Sequence, residues 1–186
     1  MNEFGERFDL ALFYDQQLLD RQNRLKAQIL EVLEAVSNEF PQKSLLDIDA
    51  QSKGSKISKG NDLMGSPYMV LDFIRNFDNA EGINVRLLVW WGKGCFLMAF
   101  VGKNLPLNPE SFVKEEFQLA LGQDKWDLND LIINKNKTGQ VNLQLWQSRV
   151  HILWIKELNL SESSEVNQNQ FILELKKVFS ILKSEL

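Results

Sequence analysis

Cysteine and histidine are almost absent from this sequence, which has one of each, Cys95 and His151, among 186 residues. One cysteine cannot form an intramolecular disulfide, and the two residues together cannot supply the four ligands of a structural zinc site. We therefore expect no disulfide and no metal, and no motif in the sequence predicts a cofactor. A free thiol is typical of a reducing compartment, so the cytoplasm is the expected location.

Long apolar runs and a positive net charge are also missing. The longest apolar run, residues 95–101, has seven residues, whereas a membrane-spanning helix needs about 20. The first residues do not show the basic segment followed by an apolar segment that marks a secretory signal. With 21 basic and 25 acidic side chains the net charge is −4, which gives no overall positive field for nucleic acid. We predict neither membrane nor nucleic-acid binding.

The residues that are present are those of an ordinary globular chain, with 44% hydrophobic residues, only four prolines and ten glycines. This composition predicts one α+β domain over residues 1–186. We expect an antiparallel sheet of about five strands, with a long N-terminal helix, a middle helix and a C-terminal helix packed on it. The order is helix, three strands, helix, two strands, helix.

Three segments have helical patterns. Apolar residues recur at steps of three, four or seven over residues 6–39, and Pro41 ends this first helix. It is so long that we expect a break near Asp15–Gln16 or packing against a second copy. The middle helix is expected from Pro109 to Gly122, and the last one after the serines of residues 161–164.

The strand patterns centre on two apolar runs, residues 83–91 and 95–101, joined by Gly92-Lys93-Gly94. Glycines at this position are typical of a tight hairpin turn. Both runs are apolar at consecutive positions, so we expect helices to cover both faces of the hairpin. Residues 68–74, 141–146 and 150–158 are the other predicted strands, and residues 41–67 are predicted to be loop or short edge strand.

A candidate ligand site lies where a lysine-rich loop precedes the strand of residues 68–74. Residues 51–60 contain three lysines and no acid, although the glycine spacing does not match a phosphate-binding P-loop. The alternative is a solvated loop without a ligand. Asp72 lies within that strand, where a charged carboxylate needs either solvent or a partner of opposite charge. Arg86 could be this partner. The residues predicted to bind a small anion are Lys56, Lys59, Tyr68, Asp72 and Arg86.

Two further groups of residues have a functional and a structural interpretation. Cys95 and His151 could form a thiol nucleophile with its base, but Cys95 lies in a predicted buried strand, where cysteine is usually inert. The five tryptophans could stack on a sugar or a base, but without a basic groove we favour a core position. We therefore predict no catalytic residue.

Residues 56–60, 65–72 and 90–92 resemble a group of small bacterial proteins of unknown activity, and this resemblance implies no catalytic residue. The element order and the acidic composition are similar to those of the small homodimeric chaperones of type III secretion systems. That similarity implies protein binding by a dimer. It concerns element order alone, and fold does not determine function.

Two functions remain open at this point. The first is a non-catalytic, cytoplasmic, chaperone- or adaptor-like domain that binds a protein partner or itself through a helix face or a sheet edge. The alternative is a binder of small anionic ligands, or an enzyme, with its site near the loop and strand of residues 53–72.

Overall fold

The computed structural model describes residues 7–186, so the predicted start of the first helix at residue 6 lies outside the described residues. The helices are α1 (Leu10–Phe13), α2 (Gln16–Asn38), α3 (Gln42–Leu46), α4 (Pro109–Lys114), α5 (Leu143–Ser148) and α6 (Ser164–Glu185), with a π-helical turn at Asn129–Ile133. The strands are β1 (Lys56–Leu63), β2 (Ser66–Arg75), β3 (Ile83–Trp90), β4 (Gly94–Val101), β5 (Gln118–Ala120), β6 (Lys137–Thr138) and β7 (Ile152–Leu158).

All seven strands form one open antiparallel sheet in the order β1-β2-β3-β4-β7-β5-β6. The predicted α+β class is confirmed, but the predicted number of about five strands is wrong. The segment expected to be loop or edge strand forms the edge strand β1, and β5 and β6 add two short strands beside β7. Four of the five predicted strands are present as β2, β3, β4 and β7.

The predicted strand over residues 141–146 is wrong, because this segment enters the short helix α5. The side chain of Asn142 accepts a hydrogen bond from the backbone N–H of Leu145 at 2.8 Å, which is the N-cap interaction that starts a helix. The middle helix also ends earlier than Gly122. It stops at Lys114, and Glu116 then takes a positive φ of 64°, a conformation that turns the chain out of a helix.

The first helix is interrupted where the sequence predicted a break. α1 ends at Phe13, and α2 begins at Gln16 with Asp15 as its N-cap. The Asp15 carboxylate accepts a hydrogen bond from the backbone N–H of Leu18 at 2.9 Å, so the new helix starts with its own capped end. The last helix was predicted to start after the serines of residues 161–164. This is confirmed, since Ser163 is the N-cap of α6.

Apolar layers cover both faces of the β3–β4 hairpin, as predicted, but helices cover only one of them. On the first face, α2 and α6 pack on the sheet with the side chains of Leu33, Val36, Leu175 and Val178, and Phe112 of α4 joins the same core. On the second face the covering residues come from the π-helical turn, with Leu131 and Ile132. The expectation of helices on both sides is therefore wrong.

Within residues 7–186, no helix combines the length and the apolar character that crossing a membrane requires.

Candidate functional site

The five residues predicted to bind an anion lie on the three strands β1, β2 and β3, but their side chains do not share one site. Lys56 is paired in register with Asp72, and Asp72 with Arg86, so these three lie side by side on the second face. Lys59 is three positions further along β1, and alternate residues point to opposite faces of a strand. Lys59 therefore faces α2 on the first face.

Asp72 and Arg86 form a closed ion pair. The guanidinium of Arg86 donates from Nε to Asp72 Oδ1 at 2.7 Å and from Nη2 to Oδ2 at 3.2 Å. Asn84 Nδ2 donates to the same Oδ1 at 3.0 Å, and Trp126 lies over the guanidinium with its ring centre 5.0 Å away. Asp72 is only 7% exposed. Both carboxylate oxygens are already bound within the protein, so the pair is built to stabilise the sheet.

A second polar cluster, which the sequence did not predict, lies on the same face near the end of β4. Lys125 Nζ lies 4.0 Å from the centre of the Phe100 ring and donates to Asn79 Oδ1 at 2.6 Å. His151 is buried beside Phe100, and Arg149 donates to the carbonyl oxygen of Gly122. These residues come from four separate segments of the chain, near positions 79, 100, 122–125 and 149–151, and no local motif joins them.

The surroundings of His151 predict a pH-dependent stability. Burial lowers its pKa below 6.5, and the positive charges of Arg149 and Lys125 lower it further, against the opposing charge of Asp124. Below pH 6.5 the unfolded chain therefore binds more protons than the folded one, so this contribution to stability is present above pH 6.5 and is lost as the pH falls. His151→Gln should flatten the decrease in Tm between about pH 7 and about pH 5.5.

Thermal unfolding followed by circular dichroism at several pH values measures this effect. The carboxyl groups with lowered pKa, Asp78 and Glu174, start from ordinary values of 3.8 and 4.5, so they titrate below the pH range of the experiment. An equally steep decrease in the His151→Gln protein would contradict the assignment to His151.

Cys95 and His151 are far apart, so they do not form a thiol–base pair. Cys95 is paired with Leu158 at one end of β4, and Val101 is paired with Ile152 at the other end. Six residues of strand separate these ends by roughly 20 Å. Burial raises the pKa of the Cys95 thiol to about 12, so this thiol remains protonated at neutral pH.

A cavity of about 280 Å³ lies between α2 and the end of the β1–β2 hairpin, and we call it the hairpin cavity. Its walls are formed by Lys26, Lys59, Gly60, Asn61, Pro67, Tyr68, Met69 and Trp91. The ring of Tyr68 lies so close over Gly60 that a Cβ there would be 2.5 Å from it. Lys59 and Tyr68, two of the predicted site residues, both line the cavity, but the Tyr68 side chain packs with the second-face core and Lys59 faces the first face, so the two side chains do not converge. Lys26 was not predicted, because it lies 33 positions before Lys59.

Residues 8–25, which we call the arm, carry eight exposed large apolar side chains. Phe8 is 93% exposed and Tyr14 73% exposed. The apolar stripe of α2 runs through Leu18, Leu25 and Ile29 to the buried Val32 and Val36. The same stripe is thus covered by the sheet and α6 in its second half and uncovered in its first half. The other exposed apolar residues of the arm are Leu10, Leu12, Phe13 and Leu19.

Among residues 7–186, no three histidine, cysteine, aspartate or glutamate side chains come together as a metal site. The hairpin cavity and the arm are candidate surfaces for a ligand and for a protein partner, respectively. The observed element order differs from the order on which the similarity to secretion chaperones rested. Comparisons with protein-family models, with curated proteins and with solved structures find no match.

Proposed function

We propose that this protein is a non-catalytic, cytoplasmic protein-binding domain, and that its arm binds a second copy of the same chain. The observation that supports this proposal most directly is the apolar stripe of α2, which continues past the edge of the core without a covering partner. Exposed apolar patches of this extent are typical of interaction surfaces. The buried free thiol of Cys95 is consistent with the reducing cytoplasm.

The charges along the arm favour a second copy as the occupant. Residues 9–20 contain three aspartates, Asp9, Asp15 and Asp20, and no basic residue. Residues 21–28 contain Arg21, Arg24 and Lys26 and no acidic residue. When two such helices pair in antiparallel orientation, the acidic half of each faces the basic half of the other. A parallel pair would place like charges together, so the charges specify one orientation.

The apolar residues fit the same orientation. If Leu18 of each copy lies opposite Leu25 of the other, the twofold axis passes between Arg21 and Gln22, and Tyr14 lies opposite Ile29. Such an isologous contact uses one surface twice and closes at two subunits, so it forms a dimer and not a fibre.

The full chain should therefore be a dimer when size-exclusion chromatography is coupled to light scattering. Leu18→Glu combined with Leu25→Glu should give a folded monomer, because four charges would be buried in the paired interface. Leu173→Glu is the matched control, since Leu173 lies on α6 and is also well exposed. This control should remain dimeric. A monomeric wild-type chain at about 100 μM, above the micromolar range of ordinary association, would overturn the proposal.

A further inference from the structure

We propose that the hairpin cavity binds a small organic anion, with its charged oxygens between Lys26 and Lys59 and its flat apolar part against Trp91. The inference is independent of the arm and of its occupant. It rests on the size of the cavity, the two lysines that line it and the tryptophan that forms its apolar wall.

The cavity is assembled from segments that are distant in sequence. Lys26 comes from α2, the β1–β2 hairpin contributes Lys59 and Pro67, and Trp91 follows β3. Its volume of about 280 Å³ is close to the lower end of the usual range for small-molecule sites, roughly 300–1,000 Å³. This space fits a molecule with one ring and one charged group.

The charge of the cavity selects an anion. Neither Lys26 nor Lys59 forms an ion pair with any of residues 7–186, although the chain as a whole carries a net charge of −4. Two unpaired ammonium groups on one cavity repel each other, and a compact oxyanion between them removes that repulsion. A lysine ammonium is a point charge that binds phosphate and carboxylate alike.

Trp91 forms the apolar wall of the cavity. Trp91 and Pro67 both line the space, so they would contact the flat apolar part of the ligand. The indole Nε1 itself is buried and has no hydrogen-bond partner in the described part of the chain, so the ligand meets the ring and not the N–H group. Because the N–H belongs to that ring, its NMR signal reports on binding.

The structure also supplies a matched control. Lys56 lies on the same strand as Lys59, and both lysines are exposed. Lys56 faces the opposite side of the sheet, because it is paired with Asp72, whereas Lys59 is paired with Met69 of the first-face core. Replacing either lysine by glutamine changes the total charge equally. Only Lys59→Gln removes charge from the cavity.

The experiment is a titration of the full chain followed by the indole N–H signals in ¹H–¹⁵N spectra, with Trp91→Phe to assign the signal of Trp91. The probes are phenyl phosphate, benzoate and uncharged phenol. Either anion should shift the Trp91 signal in a saturable way, and the relative affinities of phosphate and carboxylate identify the preferred group. Lys59→Gln should weaken binding by about tenfold, while Lys56→Gln should bind as the wild type does.

Three results would overturn the proposal. The first is the absence of a shift with both anions at millimolar concentration. The second is an equal response to phenol, which would show that charge plays no part. The third is an equal loss of affinity in Lys56→Gln and Lys59→Gln, which would show attraction by the total charge of the chain and not by the cavity.

Discussion

Replacing Asp72 by alanine is expected to lower the free energy of unfolding by about 3–5 kcal/mol, because it leaves a buried charge without its partner. Arg86 loses both of its hydrogen bonds to the carboxylate, and Asn84 loses one. For a chain of this length the corresponding decrease in Tm is about 6–20 °C. Chemical denaturation followed by circular dichroism measures the change in free energy.

Two controls separate the ion pair from other effects of the substitution. Asp72→Leu combined with Arg86→Met removes both charges at similar volume, and it should cost much less than Asp72→Ala alone. Lys56→Ala changes the cross-strand neighbour of Asp72. It should not change the free energy of unfolding measurably, because Lys56 is exposed. A loss below about 1 kcal/mol for Asp72→Ala would show that the pair behaves as a solvated one.

The elements that the sequence predicted well are those whose signal is local. Residues 83–91 are apolar except at Asn84 and Arg86, and residues 95–101 are apolar throughout. The glycines of the turn between them, Gly92 and Gly94, have φ values of 72° and 133°. The final helix has both a serine cap and a regular apolar stripe. Neither element needs information from elsewhere in the chain to be recognised.

The missed elements depend on pairing that a local pattern does not contain. β5 and β6 have three and two residues, too few to show a period. β5 is a strand because Gln118 and Leu119 pair with β7, more than 30 residues later. Residues 141–146 show the opposite error, since their alternation is regular but the cap at Asn142 starts a helix there.

In the candidate site, too, the features that the sequence missed depend on long-range pairing. The lysines at positions 56 and 59 look equivalent in a loop-like segment, and only the register of β1 with β2 places them on opposite faces. Nothing in the sequence around Lys26 indicates that α2 brings it to the β1–β2 hairpin. The apolar stripe of α2 was predictable, but where the sheet stops covering it was not.

Replacing Trp154 by alanine should lower the free energy of unfolding by about 3–5 kcal/mol, because it removes a large ring from the closed core. Trp154 is fully buried in the middle of β7. Its ring stacks on Phe112 of α4 with a centre-to-centre distance of 5.0 Å and an angle of 4°, and it contacts Trp146 of α5 at 6.1 Å. The truncation therefore loosens both short helices from the first face. Denaturant unfolding monitored by circular dichroism gives the magnitude.

Trp154→Phe is the informative comparison. In the described part of the chain, Trp154 Nε1 is buried without a hydrogen-bond partner, so the indole keeps a donor whose desolvation costs about 1–3 kcal/mol. Phenylalanine removes that donor and retains the ring that stacks on Phe112. Removing the unbonded donor stabilises the folded protein, whereas the smaller ring destabilises it. We therefore expect the free energy of unfolding to change by less than about 1.5 kcal/mol. If Trp154→Phe cost as much as Trp154→Ala, the indole N–H would be bonded in the folded protein and the interpretation of this part of the core would be wrong.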